Sequence, residues 1–126
     1  MMPLPWKRIR PLEEATVGSV TELRLRRWRD IPRLTFDALR LRRAVQIEPG
    51  VVAVCLAAAP LRRTFWTLTL WADEPALDAY VRTAAHADAM RRFRGRLERS
   101  RSARWKGEFG SLPRWAEAVA RLAAER

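Results

Sequence analysis

The 126-residue sequence contains no asparagine, and only one cysteine, one histidine and one tyrosine. The lone Cys55 excludes an intramolecular disulfide and fits a reducing compartment. Within VVAVCLAAA it reads as small apolar filler rather than a nucleophile. One histidine and one cysteine leave no cluster with zinc spacing and no Ser-His-acid set, so no metal site is expected from spacing. No glycine-rich phosphate loop is present. No window approaches 18 apolar residues without a charge, so no transmembrane segment is expected. The opening residues lack an apolar h-region and a small-residue cleavage pattern, so the expectation is no secretory signal and a cytoplasmic location.

Lysine is scarce too. Lys7 and Lys106 are the only two among 25 basic residues, leaving 23 arginines and a net charge of +11. The excess sits at the two ends of the chain, and residues 51–90 are close to neutral. Such a field attracts nucleic acid, anionic lipid or an anionic small molecule. Arginine and alanine richness also reflects a GC-rich coding background, and arginines on solvated helix faces need no partner.

What is present reads as one α+β domain over 17–126 behind an extended N-terminal arm, 1–16, with three prolines and a basic run. Residues 18–28 alternate Leu23 and Leu25 with charges, predicting a first strand. Asp30 is placed to cap a helix whose stripe is Ile31, Leu34, Ala38, Leu41 and Val45, stopped by Pro49-Gly50. The apolar run 51–59 predicts a buried strand, and FWTLTLW (65–71) pairs with it as an antiparallel hairpin. Phe65, Thr67, Thr69 and Trp71 face one way, and Trp66, Leu68 and Leu70 the other. Asp73 caps a short helix bearing Leu77, Tyr80 and Val81. Thr83 caps a continuation from His86 to Arg99, on which His86, Met90, Phe93 and Leu97 share a face. Ser100 to Phe109 returns to strand, and a last helix from about Ser111 buries Leu112, Trp115, Val119 and Leu122.

The order β-α-β-β-α-β plus a C-terminal helix is the ferredoxin-like split βαβ arrangement, a four-stranded antiparallel sheet with helices on one face. The other face, apolar and bare, predicts a homodimer packed through sheet faces.

The segment from Phe65 to Arg91 resembles the dimeric α+β barrel superfamily of antibiotic-biosynthesis-monooxygenase-like and spheroidene-monooxygenase-like proteins. The resemblance rests on Phe65–Trp71, Ala76–Tyr80 and Ala85–Arg91, with Ser100, Arg104, Trp105 and Trp115–Ala118 following. It implies a monooxygenase-like protein acting on an apolar or polycyclic small molecule. Both haem-using and cofactor-independent members exist, so the cofactor stays open. The axial histidine of the haem-degrading branch falls at Met90 and its tryptophan at Tyr80, while His86 lies one turn earlier. The asparagine that several cofactor-independent members use has no counterpart.

Within this frame the catalytic candidates are His86, as general base or haem-iron ligand, and Tyr80. Ligand-binding candidates are Trp71, Thr67, Thr69, Met90 and Phe93. Arg91 and Arg92 are candidates for haem propionates or another anionic group. A non-catalytic dimer binding a small ligand or a partner is the alternative from a different class. RNA binding is not expected, although the strand order is shared with RNA-recognition domains. The strand RTFWTLTLW has no glycine and places Thr67 where a stacking ring is needed.

Overall fold

Strand Thr64–Trp71 carries large side chains on both of its faces, and the chain is arranged to bury both. The computed structural model describes residues 1–124. Its elements are β1 (Met2–Pro3), β2 (Lys7–Arg8), β3 (Val17–Leu25), α1 (Ile31–Val45), β4 (Val51–Ala59), β5 (Thr64–Trp71), α2 (Glu74–Val81), α3 (Ala84–Phe93), β6 (Leu97–Lys106) and α4 (Trp115–Ala124). The sheet runs β1-β4-β5-β3-β6, with β2 also on β4 and every pairing antiparallel.

The four core strands follow the ferredoxin-like order, and the sheet has six strands rather than four. The extra two come from residues 1–16, which lie along the outer edge of β4. There the Leu4 amide donates to the Leu56 carbonyl (2.8 Å) and the Ile9 amide to the Val52 carbonyl (2.7 Å). Prolines are tolerated at such an edge because no further strand asks for their missing N–H.

Several features differ from those expected, among them α4, which starts at Trp115 rather than near Ser111. The first strand ends at Leu25, because Trp28–Asp30 turns into a 3₁₀ helix before α1. Asp30 does not cap α1 through its side chain; its carboxylate takes a hydrogen bond from Arg96 at 2.7 Å instead. α3 stops at Phe93, well before Arg99. Gly95 adopts φ 86, a left-handed conformation that ends helices, so β6 starts at Leu97.

One sheet face packs under α1, α2 and α3. Phe65 joins Leu34 and Phe93 there, and Trp71 joins Val45 and Leu77. On the other face Val20, Cys55, Trp66, Leu68 and Trp105 pack against Ala118 and Leu122 of α4. Trp6, Leu12, Phe109 and Leu112 extend this cover. The second face is therefore not bare: the chain's own last helix occupies the place expected for a second copy. Gly18 allows the closest contact, since a Cβ there would stand 2.5 Å from the Trp105 ring. Cys55 is buried filler whose Sγ donates to the Leu4 carbonyl (3.1 Å), and burial pushes its thiol up. Among the described residues, no helix is long and apolar enough to cross a membrane.

A buried ionic node ties the strands together on this face. Glu22 is 3% exposed and accepts from Trp66 Nε1 (3.0 Å) and twice from Arg101 (3.0 and 3.1 Å), with Arg99 at 3.2 Å. Burial alone would raise its pKa; the hydrogen bonds from Arg101 and Trp66, with the Arg101 and Arg99 charges, outweigh that and hold it below the ordinary carboxylate value. A depressed carboxylate adds stability above its unfolded pKa and loses it as pH falls through its folded one. Glu22→Gln is expected to lower stability at neutral pH by about 2 kcal/mol, a buried-pair loss discounted for the half-exposed arginines. It also flattens the acid limb of stability against pH. Urea denaturation at several pH values checks both effects; an unchanged acid limb in the variant contradicts them.

Candidate functional site

The face under α1–α3 does not close against the helices. It leaves a cavity of about 730 Å³, the size of a small-molecule site, between the sheet and the helices. Its two walls differ in chemistry. The helices supply mainly hydrocarbon, from Leu34, Leu41, Leu77, Ala89, Met90 and Phe93, with Asp37 and Arg42 the charged residues among them. The sheet supplies hydroxyls. Thr67, Thr21 and Ser102 stand in one row across β5, β3 and β6, and Thr69, Ser19 and Arg104 in the next. Both rows become apolar toward β4, where Leu56 and Val54 continue them. A planar apolar molecule thus meets hydrocarbon above and hydrogen-bonding groups below.

At one side of the cavity three rings form a stack. Trp71 and Tyr80 have centroids 5.5 Å apart at an interplanar angle of 31°. Tyr80 and His86 are 5.3 Å apart and edge-on at 66°. Local capping builds this arrangement. The Asp73 carboxylate accepts from the Ala76 amide (2.9 Å) and starts α2, which presents Tyr80 one residue before its end. Thr83 then donates to the Tyr80 carbonyl (2.7 Å) and accepts from the His86 amide (3.4 Å). One threonine ends α2, starts α3 and sets the two rings side by side.

The expected site residues fall into three groups. Thr67, Thr69, Tyr80, His86, Met90 and Phe93 all line the cavity. Trp71 is fully buried behind it, where its Nε1 donates to Thr69 Oγ1 at 2.8 Å. It acts as a backing for Tyr80, and it takes up one Thr69 lone pair while leaving the hydroxyl hydrogen to donate. Arg91 and Arg92 lie outside the lining: Arg91 pairs with Asp88, and Arg92 donates to Asp37 at 2.9 Å. Of the groups expected to hold a haem, His86 lines the cavity and the two arginines do not. The two arginines expected on its propionates are already held by carboxylates, and the position aligned with the axial histidine is Met90, packed beside Phe93.

Ser19, Thr21, Ser102 and Arg104 were not anticipated from the sequence. A signal for most of them exists: each of three strands carries two hydroxyls spaced two apart, Ser19/Thr21, Thr67/Thr69 and Ser100/Ser102, which alternation places on one face. Arg104 closes the β6 side by pairing with Asp78 (2.5 Å) and Glu74 (3.5 Å) of α2.

Burial separates the protonation behaviour of the two polar rings. Burial, with the Glu48 charge adding, pushes the Tyr80 hydroxyl up to about 12. Burial also lowers His86, partly offset by a hydrogen bond with the Val81 backbone. At neutral pH His86 is a neutral base and Tyr80 a protonated donor. Because the chain has one tyrosine and one histidine, both can be read without assignment. Absorbance at 295 nm is expected to titrate near 12 rather than at the ordinary tyrosine value. The imidazole C2 proton in NMR is expected to titrate below an exposed histidine. Midpoints at the free-residue values would contradict the burial of this corner. Since the lowered His86 charges only at acid pH, its contribution to stability is lost as pH falls below the unfolded histidine pKa.

Comparison with solved structures gives the same fold at low identity. A candidate monooxygenase from Fusobacterium nucleatum superposes with a TM-score of 0.70 at 11% identity, over 85% of this chain and 52% of its own. The chain thus spans about half the length of that relative. SnoaB, a cofactor-independent oxygenase from Streptomyces nogalater, gives 0.63 at 14% identity over 79% of this chain and 99% of its own. A protein of unknown function from Nitrosomonas europaea gives 0.65 at 16%, over 81% and 98%. These likenesses show a monooxygenase-like fold and select no substrate. A search of curated proteins finds no match to the sequence. A family model described as a domain of unknown function (DUF3291) matches residues 38–126, which include three of the core strands and the ring stack, and the chain belongs to that family.

Proposed function

We propose that this protein is an oxygenase for an apolar, polycyclic small molecule bound between the sheet and helices α1–α3. The observation that carries the reading is the two-sided cavity, hydrocarbon on the helix side and hydroxyls on the sheet side, with a neutral imidazole at its rim. A flat ring system fills such a slot with its faces against Leu34, Met90 and Phe93. Its oxygen substituents then reach Thr67, Thr21 and Thr69.

The chemistry that suits these groups oxidises an acidic ring methylene to a carbonyl with dioxygen, and water is the other product. His86 takes a proton from the methylene carbon, and Tyr80 and the sheet hydroxyls hydrogen-bond the oxygen on which the resulting charge is spread. The electron-rich carbon then reduces dioxygen, forming a carbon–oxygen bond and a hydroperoxide. Loss of the second hydrogen and of water from that hydroperoxide leaves the ketone. The substrate supplies all four electrons, so the step balances with dioxygen alone.

The test is oxygen consumption by the purified protein with an anthrone-type polycyclic substrate. Uptake of one dioxygen per ketone formed is expected, with kcat falling about 10²–10⁴-fold in His86→Gln. Tyr80→Phe is expected to lose less. Saturable binding without oxygen uptake would assign the cavity to ligand carriage instead, and absence of binding would remove the reading altogether.

A further inference from the structure

The cavity does not end under α1. At the edge carrying β1 its lining includes Met2, Leu4 and Leu39, which are 63%, 40% and 47% exposed. Apolar side chains therefore continue from the interior to the outer surface at this mouth, with Arg42, which donates to the Pro5 carbonyl at 3.0 Å, also in the lining. The exposed face of α1 continues it. Phe36, 63% exposed, lies one turn before Leu39 and Arg40, and the Arg40 guanidinium sits 5.7 Å from its ring centroid. Arg33 and Arg43 are exposed on the same side of the helix. The only acid of α1, Asp37, is turned inward and paired with Arg92 at 2.9 Å, with Arg40 at 4.0 Å. The mouth is thus an apolar rim set among exposed arginines.

We propose that this face docks on an anionic lipid bilayer, and that the cavity draws its apolar ligand from the membrane through the mouth between α1 and β1. Large side chains such as Phe36, Leu39 and Met2 gain by entering the acyl boundary, while flanking arginines stay at the headgroups and attract negative lipid. A second copy of the chain suits the face less well. A two-fold contact would set Arg33, Arg40 and Arg43 against their own copies. The proposal adds a source for the cavity's ligand to the function proposed above. Its test needs neither ligand nor turnover, so its failure leaves that function standing.

The test is co-sedimentation of the full chain with vesicles of phosphatidylglycerol and phosphatidylcholine, and with phosphatidylcholine alone, at low and high salt. Two variants accompany it: Phe36→Ser with Leu39→Ser, and Arg33→Glu with Arg40→Glu and Arg43→Glu. All five positions are exposed, and circular dichroism with Tm confirms that both variants fold. Expected are binding to the anionic vesicles at least tenfold tighter than to neutral ones, weakening with salt, and at least tenfold loss in each variant. Absence of binding to anionic vesicles overturns the proposal. So does binding that the Phe36/Leu39 variant retains, which would mark charge adsorption alone. A wild-type dimer that this variant converts to monomer would assign the face to a second copy. Tighter binding to a single-stranded oligonucleotide than to the vesicles would assign it to nucleic acid.

Discussion

Trp66 and Trp71 stand on opposite faces of a single central strand, and both are buried. This constraint shapes the rest of the molecule. A strand with large rings on both sides cannot border water on either, so the sheet needs two covers. The hairpin of β4 and β5 and the pairing with β3 put these rings at the middle of the sheet. α1–α3 cover the Trp71 side, while α4 with the N-terminal segment covers the Trp66 side. The two covers are built differently. Under α4 the small residues Ala103, Ala118 and Gly18 let Trp66 and Trp105 pack closely. Under α1–α3 short threonines and serines occupy the middle of the sheet and leave space. The cavity is a consequence of side-chain size on one face rather than of a missing element.

The two faces also divide their polar groups by role. On the closed face Glu22 is saturated by Trp66, Arg99 and Arg101, a node whose partners are all supplied by the chain. It strengthens the sheet, and its carboxylate is engaged by the chain's own donors. On the open face Trp71 satisfies one side of Thr69 and leaves its hydroxyl hydrogen for a guest. Neighbouring Tyr80 and His86 are desolvated in opposite senses: burial keeps the phenol protonated and the imidazole unprotonated. One environment thus yields a donor and an acceptor side by side.

Much of this was legible in the sequence. The alternation along 65–71 gave the two faces correctly, Asp73 and Thr83 are caps as their positions suggested, and His86, Met90 and Phe93 share a face that lines the cavity. Other features needed three dimensions. α4 reads as an ordinary amphipathic helix, and nothing in Trp115, Ala118 and Leu122 says whether it covers its own sheet or another chain's. The pairing of residues 1–16 with β4 was hidden because prolines argue against strand and only an edge tolerates them. Arg91 and Arg92 follow Met90 immediately and looked aimed at a ligand, but on a helix neighbours diverge by about 100°, and Asp88 and Asp37 claim them. Ser19 and Thr21 were overlooked because a hydroxyl on a strand is unremarkable until its register with Thr69 and Thr67 is known.

The central claim is that the guest lies on the Trp71 face, between hydroxyls and helices. Its most direct test is NMR titration of the protein with a polycyclic hydroxyquinone, following the single His86 imidazole, the single Tyr80 ring and the indole N–H signals together. Saturable shifts of His86, Tyr80 and the Trp71 indole with one common Kd, and unmoved Trp66 and Trp105, are the predicted result. Shifts confined to Trp66 and Trp105 would put the guest under α4 and contradict the account.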